Sequence, residues 1–457
     1  MFNKSPRANN YLLMNILLIV PVYPKVILDT TSIPIGLASI ATCLKNEGYN
    51  VKCIDCSITN LEMQPIDYSE FDIIGIQLHS VESLADGITY IKNIRKRTLA
   101  NIVVGGVVAT MYYKSITSCK EIDYIILNEG EYTFLELVKA IQQGKDINSI
   151  AGLVVNSDPP VITMPRRMID NIDKLPIIDR SLFEWDKYKQ WSIITSRGCP
   201  FKCKFCTVPS FWKNTYRQRS PENVFKEICI LVEQYGVNKI FILDDSFTAN
   251  KGKTLKLLSM IKDYKLHFEW ACLTRADLLD EELVSTMAET GCSTISIGVE
   301  SANQDTLDYL NKNIKLHTIE YAIFLIKKYK IRVRCSYIFG FPNETEHHLK
   351  NNIMFIKKTL PDEVQIYPLF PYFGTELFRE QDMGFQNFVK GKDALHPLIG
   401  TSSLSKEDIA EYVKQCVDML QAEGYVWLSS YSTLPQKGNF NKVVMTEFAP
   451  IQSLDKQ

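Results

Sequence analysis

Short apolar segments alternate with amphipathic ones along the first third of the chain. Five apolar segments have the length and the branched residues of buried strands: residues 15–21, 51–55, 71–78, 101–106 and 123–127. Three further segments repeat apolar residues at helical spacing: residues 36–48, 83–97 and 132–144. Strands that alternate with helices indicate a parallel sheet covered on both faces. The pattern therefore predicts a flavodoxin-like, Rossmann-type α/β domain over residues 14–148, with a ligand crevice at the carboxyl ends of its strands.

The alternation stops between residues 149 and 190. This stretch holds Pro159, Pro160, Pro165 and Pro176 among mixed charges. Proline lacks a backbone donor and restricts the residue before it, so clusters of proline mark loops. We expect a linker here that runs between two domains.

A second series of strands and helices occupies residues 191–385. Its six apolar strands are residues 191–196, 239–245, 268–274, 294–300, 332–340 and 363–370. Six strand–helix units are fewer than the eight of a closed barrel, so the pattern predicts a partial (β/α)6 barrel of the TIM type. Asp244, Asp245, Arg275 and Glu300 collect at the carboxyl ends of these strands, which form the functional face of such barrels. Residues 386–457 are predicted to form a small, mostly helical tail with one helix over 406–423.

Composition narrows the classes of function. The chain has 457 residues, of which 46% are hydrophobic and 23% charged, as expected for a globular protein with a sizeable core. A formal net charge of −1 gives no electrostatic case for nucleic-acid binding, which requires a basic surface. The apolar segment at residues 16–20 is too short to span a membrane. We therefore expect a cytoplasmic protein that binds neither nucleic acid nor membrane, with residues 1–13 as a loose extension.

Twelve cysteines in a chain of this kind do not suggest a disulfide framework. Nine of them are scattered, and most lie in apolar patterns, where a free cysteine packs as a small hydrophobe. Cys53 and Cys56 form a C-x2-C pair at the end of a strand, but no second pair lies nearby. We expect core packing for this pair as well.

The other three cysteines lie in the segment TSRGCPFKCKFC, residues 195–206, with the spacing C-x3-C-x2-C. A structural zinc site needs four protein ligands, and no histidine lies near this loop in the sequence. Cysteine thiolates also hold iron–sulfur clusters. Three cysteines on a cubane cluster leave one iron open to bind a substrate or cofactor, so the spacing suits such a cluster.

This loop resembles the signature of the radical S-adenosylmethionine (SAM) superfamily, in which an aromatic residue precedes the last cysteine. The resemblance implies that Cys199, Cys203 and Cys206 hold a 4Fe–4S cluster, with Phe205 as the aromatic residue. It also implies that SAM binds the open iron and that an external electron donor, such as flavodoxin or ferredoxin, reduces the cluster. The alternative is a fortuitous group of thiols, against which the preceding strand and the aromatic residue argue.

Further motifs of the second series match the same family. The family carries an acidic or glycine-rich stretch that contacts the SAM amino group; here it reads LDDSFTAN and offers Asp244 and Asp245. By the same resemblance, Arg275 in TRADLL would bind the SAM carboxylate, and Glu300 in IGVESAN would accept hydrogen bonds from the ribose. The alternatives are a helix N-cap for the aspartates and a surface ion pair for Arg275. The turns FGFPNET and PYFGTEL match the adenine side, with Phe373 where proline is commoner.

The first domain resembles the cobalamin-binding domain that many radical SAM enzymes carry. The matching segments are PIGLASIATCLKNEGYNVKCID, IVVGG and IDYIILNEGEYTFLEL. The resemblance implies that Gly105 and Gly106 approach the nucleotide tail of the corrin and that Glu129 and Gly130 lie in the same site. His79 follows a strand at the crevice edge. It would lie near the corrin, either as a cobalt ligand or as a hydrogen-bonded residue that does not touch cobalt.

The chain departs from the cobalamin-domain pattern in three places. Val107 and Val108 follow the glycines where proline and histidine are usual, and Asn128 replaces the first glycine of G-E-G-E. No D-x-H-x-x-G motif is present, so the histidine that this motif supplies to cobalt is missing. These departures leave open a vestigial sheet that binds no corrin.

The resemblance over residues 14–385 implies a cobalamin-dependent radical SAM enzyme. Its expected activity is methylation of an unactivated carbon of a small-molecule or peptide natural-product intermediate, with SAM as both methyl donor and radical source. One alternative keeps both cofactors but catalyses a cyclisation or rearrangement without methyl transfer, which the product mass would distinguish. The other alternative is a non-catalytic cobalamin- or metal-binding protein, which the iron and sulfide content of a reconstituted sample would test.

Overall fold

The computed structural model describes residues 14–21, 32–59, 66–78, 84–380, 400–428 and 442–446. These residues form two compact units. The first is built mainly from Gly36–Met168 and Leu175–Lys187, and the second mainly from the chain after Tyr188. Each unit has its own sheet and its own hydrophobic core.

A seven-stranded sheet forms the centre of the first unit. Its strands are β1 (Asn15–Val20), β2 (Asn50–Asp55), β3 (Ile73–Gln77), β4 (Asn101–Gly105), β5 (Tyr124–Ile126), β6 (Leu153–Val155) and β7 (Val161–Ile162). The order is β2-β1-β3-β4-β5-β6-β7, and β1 to β5 are parallel. This is the strand order of flavodoxin-like sheets, which confirms the predicted fold of the domain.

Among the described residues, four α-helices accompany this sheet: α1 (Ile35–Asn46), α2 (Leu84–Arg95), α3 (Val107–Ile116) and α4 (Glu131–Gln143). Residues of α1 and α4 pack in one core cluster with one set of strand residues, including Ile16 and Leu18. The alternate residues Leu17 and Ile19 are equally buried, because a parallel sheet of this type is covered on both faces. The apolar spacing in the sequence predicts α1, α2 and α4 but no helix at α3.

The segment predicted to be a linker, residues 149–190, has more regular structure than expected. Its first part forms β6 and β7, which extend the sheet in antiparallel pairing with β5 and with each other. Leu153 and Val154 are fully buried, so they add to the core of the first unit. The two strands have only three and two residues, which is too short for an alternating pattern to be visible in the sequence.

The described part of the second unit contains ten strands. They are β8 (Trp191–Ile193), β9 (Ser196–Arg197), β10 (Arg217–Gln218), β11 (Lys239–Ile242), β12 (Glu269–Thr274), β13 (Cys292–Glu300), β14 (Arg332–Phe339), β15 (Glu363–Pro368), β16 (Val426–Leu428) and β17 (Val443–Thr446). Eight of them form one parallel sheet in the order β16-β17-β15-β14-β13-β12-β11-β8, whereas β9 and β10 form a small antiparallel pair.

Nine α-helices belong to the described part of this unit: α5 (Val208–Phe211), α6 (Pro221–Cys229), α7 (Lys251–Asp263), α8 (Glu281–Glu289), α9 (Gln304–Tyr309), α10 (Leu316–Lys328), α11 (Glu346–Thr359), α12 (Glu376–Glu380) and α13 (Lys406–Ala422). A π-helical turn, Ile230–Gln234, continues α6. Residues of α6 to α11 and of α13 share one core cluster with alternate residues of the sheet, so the helices cover one of its faces. A parallel sheet with helices on one face fits the predicted partial barrel.

The six strands predicted for this barrel are β8 and β11 to β15. The helix predicted over residues 406–423 is α13, and the structure adds two strands, β16 and β17, to the same tail. Because β17 pairs with β15, the tail extends the barrel sheet and does not form a separate element. None of the described helices combines the length and the apolar character that a membrane crossing requires.

Candidate functional site

The cysteine loop follows the first strand of the barrel sheet. It begins after β9 and ends where α5 starts at Val208. Gly198 has a φ of 83°, and a Cβ added there would lie 2.1 Å from the carbonyl oxygen of Thr215. The residue before Cys199 must therefore be glycine. Backbone hydrogen bonds from Lys204 to Leu310 and from Leu377 to Lys204 tie the middle of the loop to later parts of the chain.

The three loop cysteines differ from most of the others in exposure. Cys199, Cys203 and Cys206 are half-buried and free, whereas seven of the nine scattered cysteines are buried and only Cys53 and Cys229 are half-buried. Among the described residues, no three His, Cys, Asp or Glu side chains are arranged to hold a single metal ion. A 4Fe–4S cluster does not need that arrangement, because each thiolate binds a different iron. Three accessible thiols on one loop fit such a group.

The thiols lie in a site that disfavours their charged form in the absence of metal. Burial raises the pKa of the Cys199 and Cys203 thiols, and it raises the pKa of Cys206 to about 12. For Cys203, the positive charges of Lys312 and Arg275 act against this rise. A bound metal deprotonates a coordinating thiol outright, so cluster binding would release these protons.

The two adjacent aspartates after β11 have different environments. Asp244 is fully buried, and its carboxylate accepts four hydrogen bonds from the two residues at the end of the strand that precedes the cysteine loop. The backbone N–H groups of Thr195 and Ser196 donate to Oδ1 at 2.6 and 3.1 Å, and their hydroxyls donate to Oδ2 at 2.5 and 2.7 Å. Burial raises the pKa of Asp244, and these hydrogen bonds oppose the rise. Asp244 therefore anchors the start of the cysteine loop.

Asp245, unlike Asp244, is exposed to solvent. Desolvation by the surrounding protein raises the pKa of its carboxyl to about 6, and the charge of Asp244 adds to this rise. A hydrogen bond from the backbone N–H of Gly198 opposes both effects. The charge of Asp245 also contributes to the raised pKa values of Cys199 and Cys206. Neither aspartate caps a helix: the N-cap of α7 is Asn250. Asp245 is the member of the pair that a ligand can reach.

Arg275 lies at the end of β12 and is buried. Its Nε and Nη2 donate to the two carboxylate oxygens of Asp277 at 2.9 Å, and Nη2 also donates to the carbonyl of Lys312 at 2.7 Å. Nη1 donates to the Cys203 Sγ at 3.8 Å, and the guanidinium stacks over the ring of Phe201. These bonds use four of its five N–H groups. The ion pair of the alternative interpretation is present, with Asp277, but it is buried on the arginine side.

Glu300 forms a buried ion pair that sequence reasoning missed. Its Oε1 accepts a hydrogen bond from Lys312 Nζ at 2.8 Å, and both side chains are nearly buried. Glu300 has a φ of 66°, which is uncommon outside glycine, and the strand register shifts at this point. A Cβ at Gly298 would lie 2.1 Å from the same carboxylate oxygen, so Gly298 leaves room for the pair. No local pattern marks Lys312, because the contact spans 12 residues that include the helix α9.

Phe205 is part of a small apolar cluster beside the loop. Its ring centroid lies 5.9 Å from that of Phe341, and both pack with Leu310, Leu369 and Leu377. Phe341 belongs to the FGFPNET turn, so the cysteine loop and this turn contact each other through their aromatic residues.

Glu344 in the FGFPNET turn is a second residue that sequence reasoning missed. It is fully buried, and Oε2 accepts the backbone N–H groups of Gly340 and Phe341 at 2.9 and 3.2 Å. Its other oxygen accepts the hydroxyl of Ser301 at 3.0 Å, which links the turn to the end of β13. Burial raises the pKa of Glu344 to about 7, and these hydrogen bonds oppose the rise. The signal available in the sequence was a glutamate three residues after Phe341, in a Phe-Pro turn that follows a strand.

The face of the barrel sheet that the helices do not cover, here called the inner face, has a polar side. On β13, β14 and β15 the residues packed under the helices alternate with Ser296, Ser336 and Gln365. Ser336 Oγ donates to Gln365 Oε1 at 2.8 Å. Within the described residues, the buried Ser296 Oγ and Gln365 Nε2 have no hydrogen-bond partner. Buried polar atoms of this kind are uncommon and suit a bound ligand or water.

The other side of the inner face is apolar and open. Leu243, just after β11, and Leu273 on β12 are 38% and 39% exposed. Both alternate with residues of the helix-side core, so they lie on the inner face. The inner face therefore offers an accessible apolar surface beside strands that carry unsatisfied hydrogen-bonding groups.

In the first unit, the glycine pair predicted to approach cobalamin lies at the carboxyl end of β4. Among the described residues, the one atom within 4 Å of a Cβ added at Gly105 is the Ile126 Cβ at 3.8 Å, so these residues leave space above this backbone. Gly106 has a φ of 107°, and a Cβ there would lie 2.7 Å from the Leu78 carbonyl oxygen. Gly106 is thus required by the fold, whereas Gly105 leaves a surface that a ligand can approach. The backbone at Gly105 therefore fits the predicted contact with a corrin nucleotide tail.

In the neighbouring N-E-G-E turn, asparagine can take the place of the first glycine of the family's G-E-G-E pattern. Asn128 has a φ of 61°, a left-handed conformation that asparagine adopts more readily than most residues, and its N–H donates to Thr110 Oγ1 at 2.8 Å. Glu129 is buried, and Gly130 begins α4 against Ile40, whose Cδ1 lies 2.8 Å from an added Cβ. His79 lies outside the described residues.

Comparison with known proteins bears on both units. The family model for the "Radical SAM superfamily" matches residues 193–356, and the model for the "B12 binding domain" matches residues 28–138. An "uncharacterized methyltransferase" of Pyrococcus horikoshii is 34% identical over 381 residues, which cover 80% of this chain and 82% of that protein. The anaerobic magnesium-protoporphyrin IX monomethyl ester cyclase of Rubrivivax gelatinosus is 32% identical over 61% of this chain, which spans about half, 52%, of the cyclase.

Solved structures of two other proteins resemble this chain over most of its length. The radical S-adenosylmethionine methyltransferase TsrM from Kitasatospora setae, with cobalamin and a 4Fe–4S cluster bound, aligns with a TM-score of 0.70 at 19% identity over 81% of this chain and 74% of that chain. The cobalamin-dependent S-adenosylmethionine radical enzyme OxsB aligns with a TM-score of 0.66 at 17% identity over 94% of this chain and 64% of that chain. At these identities the likeness is one of fold.

Proposed function

The chain belongs to the radical SAM superfamily and carries the B12-binding domain of its cobalamin-dependent members, and we propose that it methylates an unactivated carbon of a small-molecule or peptide substrate. The family uses a 4Fe–4S cluster, SAM and cobalamin. When bound, the cluster supplies the electron that cleaves SAM and cobalamin supplies a carrier for the methyl group, while the protein orients them and excludes water. Relatives with methyltransferase names support the choice of reaction.

The observation that carries this proposal is the convergence of the cysteine loop with a linked set of charged residues in the barrel unit. Arg275 donates to the Cys203 Sγ at 3.8 Å and to the carbonyl of Lys312 at 2.7 Å, and Lys312 pairs with Glu300 at 2.8 Å. Asp245 is exposed at the carboxyl end of β11, and its charge acts on Cys199 and Cys206. Cys199, Cys203 and Cys206 would hold the cluster. Acceptors and a cation beside an open iron suit the ammonium, ribose and carboxylate groups of SAM.

Each of these residues has a distinct part in the proposed SAM site. The accessible carboxylate of Asp245 would accept hydrogen bonds from the ammonium group, as the family resemblance implies for one of the two aspartates. Glu300 would accept from the ribose with its Oε2, since Oε1 is bonded to Lys312. Phe205, held against Phe341, would pack beside the bound nucleoside and keep water from the loop.

The substrate would bind along the inner face of the barrel sheet. Leu243 and Leu273 would contact an apolar body, and the free groups of Ser296 and Gln365 would bind a hydroxyl, carbonyl or carboxylate. We therefore infer a substrate with an apolar part and at least one hydrogen-bonding group. Gly105, with the N-E-G-E turn, would receive the nucleotide tail of cobalamin in the first unit.

A cyclisation or rearrangement is the second candidate function, because the cyclase relative shares 32% identity with this chain. The two reactions consume SAM differently. Methyl transfer through cobalamin converts one SAM to S-adenosylhomocysteine and cleaves another to 5′-deoxyadenosine, whereas a cyclisation needs only the cleavage. The test is anaerobic incubation of the reconstituted chain with reductant, cobalamin and SAM that carries a deuterated methyl group.

Both nucleoside products are expected from the wild-type protein. Gly105→Ala should lose S-adenosylhomocysteine but keep 5′-deoxyadenosine, because it covers the proposed cobalamin surface only. Cys203→Ala should lose 5′-deoxyadenosine. Formation of 5′-deoxyadenosine without any S-adenosylhomocysteine would refute methyl transfer and favour the cyclase-like reaction.

A further inference from the structure

The guanidinium of Arg275 touches the cysteine loop at two points. Its Nη1 donates to the Sγ of Cys203 at 3.8 Å, and its Cζ lies 3.8 Å from the ring centroid of Phe201. Phe201 stands between Cys199 and Cys203 in the sequence, so neither contact involves the part of the loop after Cys203.

The orientation of this guanidinium is determined by groups that lie outside the loop. Asp277 accepts from Nε and Nη2 in a bidentate pair, both at 2.9 Å, and the carbonyl of Lys312 accepts from Nη2 at 2.7 Å. A planar fork held at two of its nitrogens has little freedom to rotate, so its third nitrogen stays directed at Cys203. Arg275 is only 7% exposed, which leaves little water to screen its charge.

The same region contains a second buried cation. Lys312 is 4% exposed, and its charge acts on Cys203 together with that of Arg275. Hydrogen bonds to cluster sulfurs and nearby net charge are two of the levers by which proteins set the reduction potential of an iron–sulfur cluster. A hydrogen bond to a cluster sulfur and a nearby positive charge both favour the reduced cluster, because reduction adds a negative charge.

We propose that Arg275 is a positioning residue of the cysteine loop that raises the reduction potential of the cluster through its N–H···S bond to Cys203, and that it does not bind SAM. The inference rests on the proposed function, since it requires a cluster on the loop. It replaces the role that the family resemblance implies for Arg275, because four of its five N–H groups already bond to protein atoms. The SAM carboxylate is left to another cation of the site, for which Lys312 is placed.

The experiment is a redox titration of the anaerobically reconstituted full chain without SAM, followed by the electron paramagnetic resonance signal of the reduced cluster. Arg275→Met removes charge and hydrogen bond at similar volume. We expect the ratio of reduced to oxidised cluster at a fixed potential to fall about tenfold, a 59 mV negative shift for one electron. Arg275→Lys keeps the charge but lacks the fork, so its shift should be smaller. Arg332→Met, which removes the same charge at the amino end of β14, is the matched control and should lie near the wild type.

An Arg275→Met variant with full iron content and the wild-type midpoint would overturn the proposal. So would a variant that binds SAM at least tenfold more weakly at an unchanged midpoint, because that result restores the carboxylate role. If Arg275→Met does not retain iron, Arg275→Lys decides: a lowered midpoint supports the proposal and the wild-type value overturns it. A wild-type chain that loads no cluster would instead refute the proposed function.

Discussion

Replacement of Asp244 by alanine is expected to loosen the strand end that carries the cysteine loop. The Asp244 carboxylate accepts the backbone N–H groups and the hydroxyls of Thr195 and Ser196, and all three residues are at most 3% exposed. The hydroxyls can rotate towards other acceptors. The N–H groups cannot, because their directions are set by the backbone, so alanine leaves two buried donors without a partner.

The cost follows from these two donors. A buried donor that loses its acceptor costs about 1–3 kcal/mol, so the pair costs about 2–6 kcal/mol. For a domain of 150–250 residues each kcal/mol lowers Tm by roughly 2–4 °C, and we therefore expect Tm to fall by about 4 °C or more. A water admitted into the space would bring the loss towards the lower limit. Iron content after reconstitution should fall as well, since Ser196 lies three residues before Cys199.

Asp244→Asn is the matched control. Its Oδ1 can still accept both N–H groups, and its amide can donate to the two hydroxyl oxygens after their hydrogens rotate. We expect a loss within about 1 kcal/mol and near-normal iron content. Thermal unfolding and iron analysis of the reconstituted proteins check both variants. The reasoning is refuted if Asp244→Ala keeps the wild-type Tm, or if Asp244→Asn keeps its Tm but binds SAM tenfold more weakly, which would place the charge of Asp244 on the SAM ammonium group.

Three further predictions concern other buried groups. Because the pKa of Glu344 is raised from 4.5 to about 7, its contribution to stability should decline as pH rises from about 4.5 to 7, by about 3 kcal/mol at 1.36 kcal/mol per pKa unit. Glu344→Gln should remove this decline. If Tm changed equally between pH 5 and pH 8 in the wild type and the variant, the prediction would be contradicted. Glu300→Ala leaves the Lys312 charge buried without its partner, at a cost of about 3–5 kcal/mol in unfolding free energy. The double variant Glu300→Gln, Lys312→Met should recover most of this loss. If the double variant is destabilised in thermal unfolding, the ion pair does not explain the loss. Gly105→Ala should fold normally but fail to retain hydroxocobalamin through gel filtration, while Gly106→Ala should lower Tm; retention by Gly105→Ala would remove that surface from the site.

Most of the fold could be predicted from the chain because its strands and helices show their periods locally. On β13, for example, buried Ile295, Ile297 and Val299 alternate with inner-face residues in a single nine-residue strand. The helix α3 was missed because VVATMYYKSI is rich in β-branched and aromatic residues, which favour strands by propensity. Its start depends on the backbone of Gly106, which only the tertiary structure reveals. The strands β6, β7 and β16 are too short to carry a period.

The candidate site was predictable only where its residues are close in sequence. The cysteine spacing is a local signal, and the acceptors at the strand ends follow from the fold class. The difference between Asp244 and Asp245 was not predictable, because neighbouring residues of an extended chain face opposite sides and the sequence does not say which side is buried. The contact of Arg275 with the Lys312 carbonyl spans 37 residues, and no pattern in the intervening chain indicates it.

The central claim is that Cys199, Cys203 and Cys206 hold a cluster that cleaves SAM. The most direct measurement is the yield of 5′-deoxyadenosine from SAM and reductant, together with iron and sulfide content, after anaerobic reconstitution. The matched control replaces Cys53 and Cys229, the other two half-buried cysteines, by alanine. We predict about four irons per chain and 5′-deoxyadenosine for the wild type and the control, and neither for the triple alanine variant of the loop. Release of 5′-deoxyadenosine by that triple variant would contradict the account.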